Sequence, residues 1–159
     1  SFKGARVPTL DEVFEAIGKR TRINVEIKSE NADETGIEAK VADAIRRHNL
    51  AASIIVSSFN PLTLGRFRAA MPEVPIGFLY APDSPSIAYD LIAELPHEVR
   101  NPYFEQIDAE FMAWAKQHGY RVNTWTVNDP AKALELSALG VDCIITDNPD
   151  TILAAVRRA

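Results

Sequence analysis

The sequence contains little cysteine and little histidine, and this excludes several kinds of site. Cys143 is the single cysteine among 159 residues, so this chain can form neither an intrachain disulfide nor a zinc cluster built on cysteines. Its apolar neighbours predict an inert thiol in the core. The three histidines, His48, His97 and His118, stand in His-Asn, His-Glu and His-Gly contexts within helical or loop segments, where a lone histidine is far more often structural than catalytic. We therefore assign no catalytic residue from the residues present.

Long apolar runs and basic blocks are also missing. No stretch approaches the ~20 apolar residues that a membrane span requires, and the first residues do not follow the charged-then-apolar pattern of a signal peptide. The formal net charge is -5, which argues against nucleic-acid binding through phosphate neutralisation. With 47% hydrophobic and 25% charged residues, residues 1–159 are typical of a single globular domain. We expect that domain to be cytoplasmic.

What the chain does contain is a regular alternation of short apolar runs and helical patterns. Thr9 and Glu12 form a capping box that predicts a helix from residue 10. Asn60-Pro61, Asn101-Pro102, Asp129-Pro130 and Asn148-Pro149 each follow a strand-like run, and at least three of these pairs precede a helical pattern. The predicted strands are 23–27, 54–56, 76–79, 122–127 and 143–145, with a weaker candidate at 98–100.

Strands joined by helices at this spacing predict a parallel sheet with right-handed crossovers, and hence an α/β chain. An open doubly wound sheet is one architecture, but no glycine-rich turn marks a dinucleotide site. A TIM-type (β/α)8 barrel fits better, although about six units are present where closure needs eight and ~250 residues are typical. The segment Ser1-Phe2-Lys3-Gly4-Ala5-Arg6 resembles the middle of a longer protein. We expect the chain to supply about the last six units.

The strand Asn24-Val25-Glu26-Ile27-Lys28 carries a carboxylate and an ammonium on one face. In a barrel, alternation would turn Val25 and Ile27 towards the helices and Asn24, Glu26 and Lys28 inwards, with the charged pair at the carboxyl-end mouth. A carboxylate can bind a hard divalent cation and a lysine can bind a phosphate oxygen, so the pair suits a metal-assisted phosphoryl site. An interior ion pair that only stabilises the barrel is the alternative. Other polar or aromatic residues are expected at the same strand ends: Ser57, Ser58, Phe59, Asn60, Asn101, Trp125, Thr126, Asn128, Thr146, Asp147 and Asn148.

Five blocks, in order along the chain, resemble the glycerophosphodiester phosphodiesterase family. They are Phe2-Lys3-Gly4 with Val7-Pro8-Thr9-Leu10, Asn24-Val25-Glu26-Ile27-Lys28, Val56-Ser57-Ser58-Phe59-Asn60, 122–130 from Val122 to Pro130, and 140–149 from Gly140 to Pro149. The resemblance implies a (β/α)8 barrel fold and a role in lipid metabolism. It implies an enzyme that hydrolyses glycerophosphodiesters to sn-glycerol 3-phosphate and an alcohol. It also implies a divalent metal ion, Mg²⁺ or Ca²⁺.

The resemblance assigns roles to four residues of this chain. Glu26 takes the position of a metal-binding glutamate and Lys28 that of a lysine contacting the substrate phosphate. Trp125 takes the position of an aromatic residue that packs against the substrate, and Phe59 lines the same pocket.

The resemblance also implies that some motifs are absent. The family's His-Arg, Glu-x-Asp and His-Asp motifs, which include its acid and base histidines, lie before the Pro8-Thr9-Leu10 block. We therefore expect this chain alone to be inactive and to act as the C-terminal part of an intact enzyme. The alternative is a non-catalytic barrel remnant that pairs its open edge strands with another copy or a partner.

Overall fold

Six parallel strands form one sheet in which each strand lies beside its neighbour in sequence. The computed structural model describes residues 4–29 and 35–157. The sheet order is β1-β2-β3-β4-β5-β6, and every pairing is parallel. The strands are β1 (Ile23–Glu26), β2 (Ile54–Ser58), β3 (Ile76–Tyr80), β4 (Val99–Pro102), β5 (Arg121–Thr124) and β6 (Cys143–Ile144).

A helix follows each strand, and one more precedes the first, so the α/β prediction is confirmed. The helices are α1 (Leu10–Ile17), α2 (Ile37–His48), α3 (Pro61–Ala70), α4 (Ser86–Ala93), α5 (Ala109–Gln117), α6 (Pro130–Leu139) and α7 (Pro149–Val156). Short 3₁₀ turns lie at Ala51–Ser53 and Phe104–Gln106. In the described ranges, no helix is both long enough and apolar enough to cross a bilayer.

Local capping chemistry explains where several helices begin. Thr9 Oγ1 accepts a hydrogen bond from the Glu12 amide, and Glu12 Oε2 accepts one from the Thr9 amide at 2.8 Å, so the predicted capping box is confirmed. Asn60 and Asp129 cap α3 and α6, each with a proline at the first helical position. Proline loses no hydrogen bond there because the first amides of a helix have no intrahelical acceptor.

One of the four Asx-Pro pairs differs from the other three. Asn101-Pro102 lies inside β4 rather than before a helix, and Pro102 is in register with Tyr80 of β3. The 98–100 candidate is therefore a real strand, displaced by one or two residues. The other predicted strands are confirmed with their ends moved by one to three residues, since the ends depend on which neighbour supplies hydrogen bonds.

The hydrophobic core lies between the outer face of the sheet and the helices. Val25 packs against a cluster that includes buried Ile27 and Phe67, while a second cluster under α6 and α7 includes Val122 and Leu136. The predicted orientation of Val25 and Ile27 towards the helices is confirmed. The alternate residues of the same strand, Asn24 and Glu26, therefore face the opposite, inner side of the sheet.

One prediction about burial is wrong. Cys143 is exposed rather than buried, because it lies on β6 and the described residues place no strand along the far edge of β6. Trp114, on α5, is 37% exposed. It stacks on Tyr120 with ring centroids 5.5 Å apart and so lies over the core rather than within it.

The sheet is curled, not flat. The rings of Phe59, which follows β2, and Trp125, which follows β5, lie only 5.2 Å apart between centroids. Three strand spacings of about 4.8 Å would separate those strands by about 14 Å in a flat sheet. Their side chains meet because the sheet bends around its inner face, as in a half-barrel of the TIM type.

Candidate active site

A cleft opens on the inner face of the curled sheet, at the carboxyl ends of the strands. Its volume is about 490 Å³, which is within the usual range for small-molecule sites. All four residues predicted from the sequence, Glu26, Lys28, Phe59 and Trp125, line it. The complete lining is Asn24, Glu26, Lys28, Phe59, Leu79, Trp125, Thr126 and Ile145.

The alternation of side chains along β1 places polar groups in the cleft. Asn24, Glu26 and Lys28 are exposed on the inner face, while Ile27 between them is buried. Within residues 4–29 and 35–157, Glu26 and Lys28 form no ion pair with each other or with any other group. The two charges therefore face the cleft separately, and the alternative of a mutually neutralised interior pair is not what the structure contains.

Aromatic side chains form a wall of the same cleft. The indole Nε1 of Trp125 donates a hydrogen bond to the backbone oxygen of Asn101 at 2.9 Å, which fixes the orientation of the ring. Tyr103 meets Trp125 edge-on at 5.5 Å between centroids, and Phe59 does so from β2. Phe59 is 44% exposed. A ligand in the cleft would thus touch both charged groups and aromatic rings.

The serines that end β2 support the site without facing a ligand. Ser57 Oγ accepts from Asn24 Nδ2 at 2.9 Å, and Ser58 Oγ donates to the Ile27 backbone oxygen at 2.7 Å. Both serines are buried. These bonds attach the end of β1 to β2 and so hold the strand that carries Glu26 and Lys28.

A separate group of hydrogen-bonded side chains lies just beyond the carboxyl end of β6. Asn128 Nδ2 donates to Asp147 Oδ2, and Asn128 Oδ1 accepts from the Thr146 hydroxyl at 2.9 Å. Thr146 in turn accepts from the Asn148 amide. The polar residues predicted at this strand end therefore bond to one another rather than into the cleft.

The three histidines lie at the opposite end of the sheet. Each precedes a strand: His48 ends α2 before β2, His97 comes just before β4, and His118 follows α5 before β5. His48 Nε2 bonds Asp11, whereas the Nδ1 atoms of His97 and His118 lie 2.7 and 2.8 Å from backbone oxygens. None of these side chains lines the cleft, as their sequence contexts predicted.

The described residues do not form a metal site by themselves. Among the described residues, Glu26 is the only carboxylate in the lining, and no cluster of three or more His, Cys, Asp or Glu side chains occurs. Mg²⁺ requires about six oxygen ligands and Ca²⁺ six to eight. Glu26 can supply a minority of those oxygens, and the rest would have to come from water, substrate or other protein groups.

The sequence did not predict that Leu79 and Ile145 line the cleft. Both are apolar residues in apolar runs, and nothing in their local sequence distinguishes an inner from an outer position. Their orientation follows from register: Leu79 is paired with Asn101, and Ile145 donates its amide to the Thr124 backbone oxygen. Long-range strand pairing is the signal that a local pattern lacks.

Comparison with known proteins decides the family. A model of the glycerophosphoryl diester phosphodiesterase family matches residues 1–151. The chain belongs to this family. Within it, a glycerophosphodiester phosphodiesterase of Caldanaerobacter subterraneus is 35% identical over 158 residues, covering 99% of this chain and 65% of the relative. The corresponding enzyme of Bacillus subtilis is 26% identical, covering 94% and 54%.

Solved structures of the family share the fold. An Oleispira antarctica phosphodiesterase, in complex with the product sn-glycerol-3-phosphate, aligns with a TM-score of 0.77 and 26% identity, covering 94% of this chain and 61% of that one. A glycerophosphodiester phosphodiesterase of Parabacteroides distasonis aligns with a TM-score of 0.75 at 24% identity. The chain spans less than two thirds of the length of the relatives described here.

Proposed function

We propose that the cleft is part of the active site of a glycerophosphodiester phosphodiesterase, which releases sn-glycerol 3-phosphate and an alcohol. The observation that carries the proposal is the convergence of Glu26, Lys28, Phe59 and Trp125 in one cleft at the carboxyl ends of the strands. That end of a parallel barrel is where such folds bind substrate. The family membership and the product complex of the Oleispira relative support the substrate class.

Lys28 is the group that we assign to the phosphate. It is the only cationic side chain in the cleft lining, and it has no competing carboxylate partner among the described residues. An ammonium with three free donors can bond the acceptor-only oxygens of a phosphodiester. On this proposal Lys28 binds and orients the phosphate.

The aromatic wall is assigned to the organic part of the substrate. Trp125, held by its hydrogen bond to Asn101, and Phe59 present apolar rings to the cleft that Lys28 also lines. Such faces exclude water from one side of the phosphate and limit where the ester groups can lie. We assign them to substrate packing, not to proton transfer.

A divalent cation, Mg²⁺ or Ca²⁺, belongs to the proposal only in part. Glu26 faces the cleft as an exposed carboxylate and could contribute an oxygen ligand, but the residues described do not complete a coordination shell. We propose that further ligands and the acid and base histidines come from a segment other than residues 1–159. This chain alone is then expected to bind phosphate ligands without turning over the diester.

The test is an assay for sn-glycerol 3-phosphate released from glycerophosphocholine, made with the protein that contains this chain. Lys28→Met should lower turnover about a hundredfold or more, because the lost contact strengthens as charge develops on the phosphate. Lys116→Met, at an exposed position near the end of α5, is the matched control. Equal turnover in the wild type and Lys28→Met would contradict the assignment of Lys28.

A second candidate is a non-catalytic remnant that associates with another copy or a partner. It is favoured by the edge of the sheet: the described residues place no strand beyond β1 or β6, and an apolar groove of about 390 Å³ runs beside β6, lined by residues that include Ile144, Ile152 and Leu153. Light scattering separates the two candidates. A stable dimer that binds no phosphate ligand would favour the remnant.

A further inference from the structure

Asn101 is a buried amide without a hydrogen-bond partner among the described residues. Its side chain has 0% relative exposure, and neither Oδ1 nor Nδ2 bonds to any described group. Leaving a buried polar group unsatisfied costs about 1–3 kcal/mol. A leucine of similar volume would avoid that cost, so an amide at this position points to a partner that comes from outside the described residues.

The position of Asn101 connects it to the cleft. It is in register with Leu79 on β3, and residues in register on parallel strands share a face, so its side chain lies on the inner face with Leu79. Its backbone oxygen accepts the Trp125 Nε1 hydrogen bond at 2.9 Å. Leu79 and Trp125 both line the cleft. Asn101 therefore lies directly behind the wall that these two side chains form.

Gly77 makes room for this amide. A Cβ at position 77 would lie 2.9 Å from Asn101 Oδ1 and 3.4 Å from its Cγ. The backbone of Gly77 does not require glycine, since its φ lies outside the left-handed region. Glycine weakens a strand interior unless another group approaches closely, and here the approaching group is the Asn101 amide. Two positions are thus adapted to one unpaired polar side chain.

The chemistry of an amide indicates what it would bind. Its oxygen accepts and its nitrogen donates, which matches a hydroxyl that does both; phosphate oxygens only accept, and Lys28 already serves them. We propose that the Asn101 amide binds a hydroxyl of the glycerol moiety and makes the cleft prefer glycerol phosphates over alkyl phosphates that lack hydroxyls. This deepens the proposed function and rests on it. The Asn101 side chain is not part of the cleft lining. A hydroxyl can therefore reach the amide only if the partly buried Trp125 ring turns away from its contacts with Phe59 and Tyr103.

The experiment compares two ligands by isothermal titration calorimetry on the full chain. The first is sn-glycerol 3-phosphate, and the second is propyl phosphate, which has the same carbon skeleton without hydroxyls. The wild type should bind the first about tenfold or more tightly, the usual effect of a satisfied buried hydrogen bond. Asn101→Leu should abolish the preference while leaving the affinity for propyl phosphate unchanged.

A pair of variants separates the hydrogen bond from packing. Gly77→Ala should displace the amide and reduce the preference, and Asn101→Ala should leave a void. In the double variant that combines Asn101→Ala with Gly77→Ala, the methyl group at position 77 fills the void. Its thermal stability should therefore be higher than that of Asn101→Ala, but the preference for sn-glycerol 3-phosphate should not return. A preference that returns together with stability would overturn the proposal.

Thr124→Val is the matched control. Thr124 is a buried residue of β5 whose hydroxyl donates a hydrogen bond to the Pro102 backbone oxygen of β4 at 3.0 Å. It lies on the outer face of the sheet, like Val122, whereas Asn101 lies on the inner face. Its substitution should lower the melting temperature and leave the preference unchanged. If the wild type binds both phosphates equally, the hydroxyl contact is overturned while the phosphate site stands. If the wild type binds neither, the proposed function fails with it.

Discussion

Charged side chains at the amino end of the parallel sheet form hydrogen bonds within the protein that Glu26 and Lys28, at the carboxyl end, do not form with any described side chain. At the amino end, Glu98 accepts hydrogen bonds from Arg68 at 2.6 Å and from the first amide of β3, Ile76, at 3.0 Å. Asp142 likewise accepts from Val122 in β5 at 2.8 Å. At the carboxyl end, Glu26 and Lys28 bond to no described side chain. Glu98 and Asp142 thus extend the hydrogen bonding of the strands at the amino end, whereas Glu26 and Lys28 at the carboxyl end remain available to a ligand.

This difference separates stability from function along the strand direction. A barrel can vary the residues at its carboxyl-end mouth while the amino end holds the strands in place. Substitutions at the mouth should therefore change activity more than stability, and those at the amino end should do the reverse. Four substitutions test the contrast, beginning with the largest expected effect.

Glu26→Gln should produce the largest change, in activity alone. The substitution keeps the shape of an exposed side chain but removes its charge. In the protein that contains this chain, turnover should therefore fall about a hundredfold or more and dependence on added divalent metal should weaken. The free energy of unfolding should be unchanged. Glu15→Gln, at an exposed position of α1, is the control. Wild-type turnover in both Glu26→Gln and Lys28→Met would contradict a role for these two residues in the reaction.

Glu98→Ala should produce the largest change in stability. It leaves the Ile76 amide and the Arg68 guanidinium without their carboxylate acceptor, and we expect a loss of about 1–3 kcal/mol in the free energy of unfolding by urea. Affinity for sn-glycerol 3-phosphate should be unchanged. Exposed Glu94 supplies the control substitution, Glu94→Ala. A loss of ligand affinity in Glu98→Ala would show that the two ends are coupled.

Thr9→Ala should have a smaller effect. It removes the side-chain half of the α1 capping box, which typically lowers stability by about 1 kcal/mol. The remaining Glu12 carboxylate also bonds Arg6, and its pKa is held at about 2, chiefly by that guanidinium. Chemical denaturation at pH 7 measures the change. Stability equal to the wild type would mean that Glu12 and Arg6 maintain the helix start alone.

His97→Asn should have the smallest effect at neutral pH and show itself only in acid. Burial lowers the pKa of His97 below its ordinary value, and Arg100 and Arg68 oppose its protonation while Glu98 favours it. As the pH falls through about 6.5, the unfolded chain binds the proton first, so wild-type stability should decline.

Urea midpoints at pH 8 and pH 5.5 measure this decline. In His97→Asn the difference between the two midpoints should be smaller than in the wild type, whereas His118→Asn should retain the wild-type difference. Equal differences in all three proteins would remove His97 as the cause.

Local sequence patterns were enough to predict the elements and the polar side of the cleft. The Thr9 and Glu12 spacing defines a helix start because the bonds involved lie within four residues, and alternation turns Glu26 and Lys28 to one face because a strand has a period of two. The convergence of Phe59 and Trp125 was expected only through the barrel hypothesis. It depends on curvature summed over four strands.

Properties that depend on distant neighbours were predicted less well. Cys143 sits in an apolar run but is exposed, because burial requires a strand or helix beside it. Asn101-Pro102 has the composition of a helix start, yet it pairs with β3 as a strand. The unpaired amide of Asn101 could not be inferred at all, since it depends on the register with Leu79 and on the absence of a side chain at Gly77.

The positions of the two tryptophans give the chain separate optical probes. Trp114 lies on α5 with the Arg100 guanidinium 5.4 Å from its ring, outside the sheet, while Trp125 lies inside the cleft with its indole nitrogen hydrogen-bonded. Their emission therefore arises from different environments. Replacing Trp114 by phenylalanine would leave a single fluorophore whose intensity and wavelength follow the cleft, so that ligand entry could be timed directly by stopped flow.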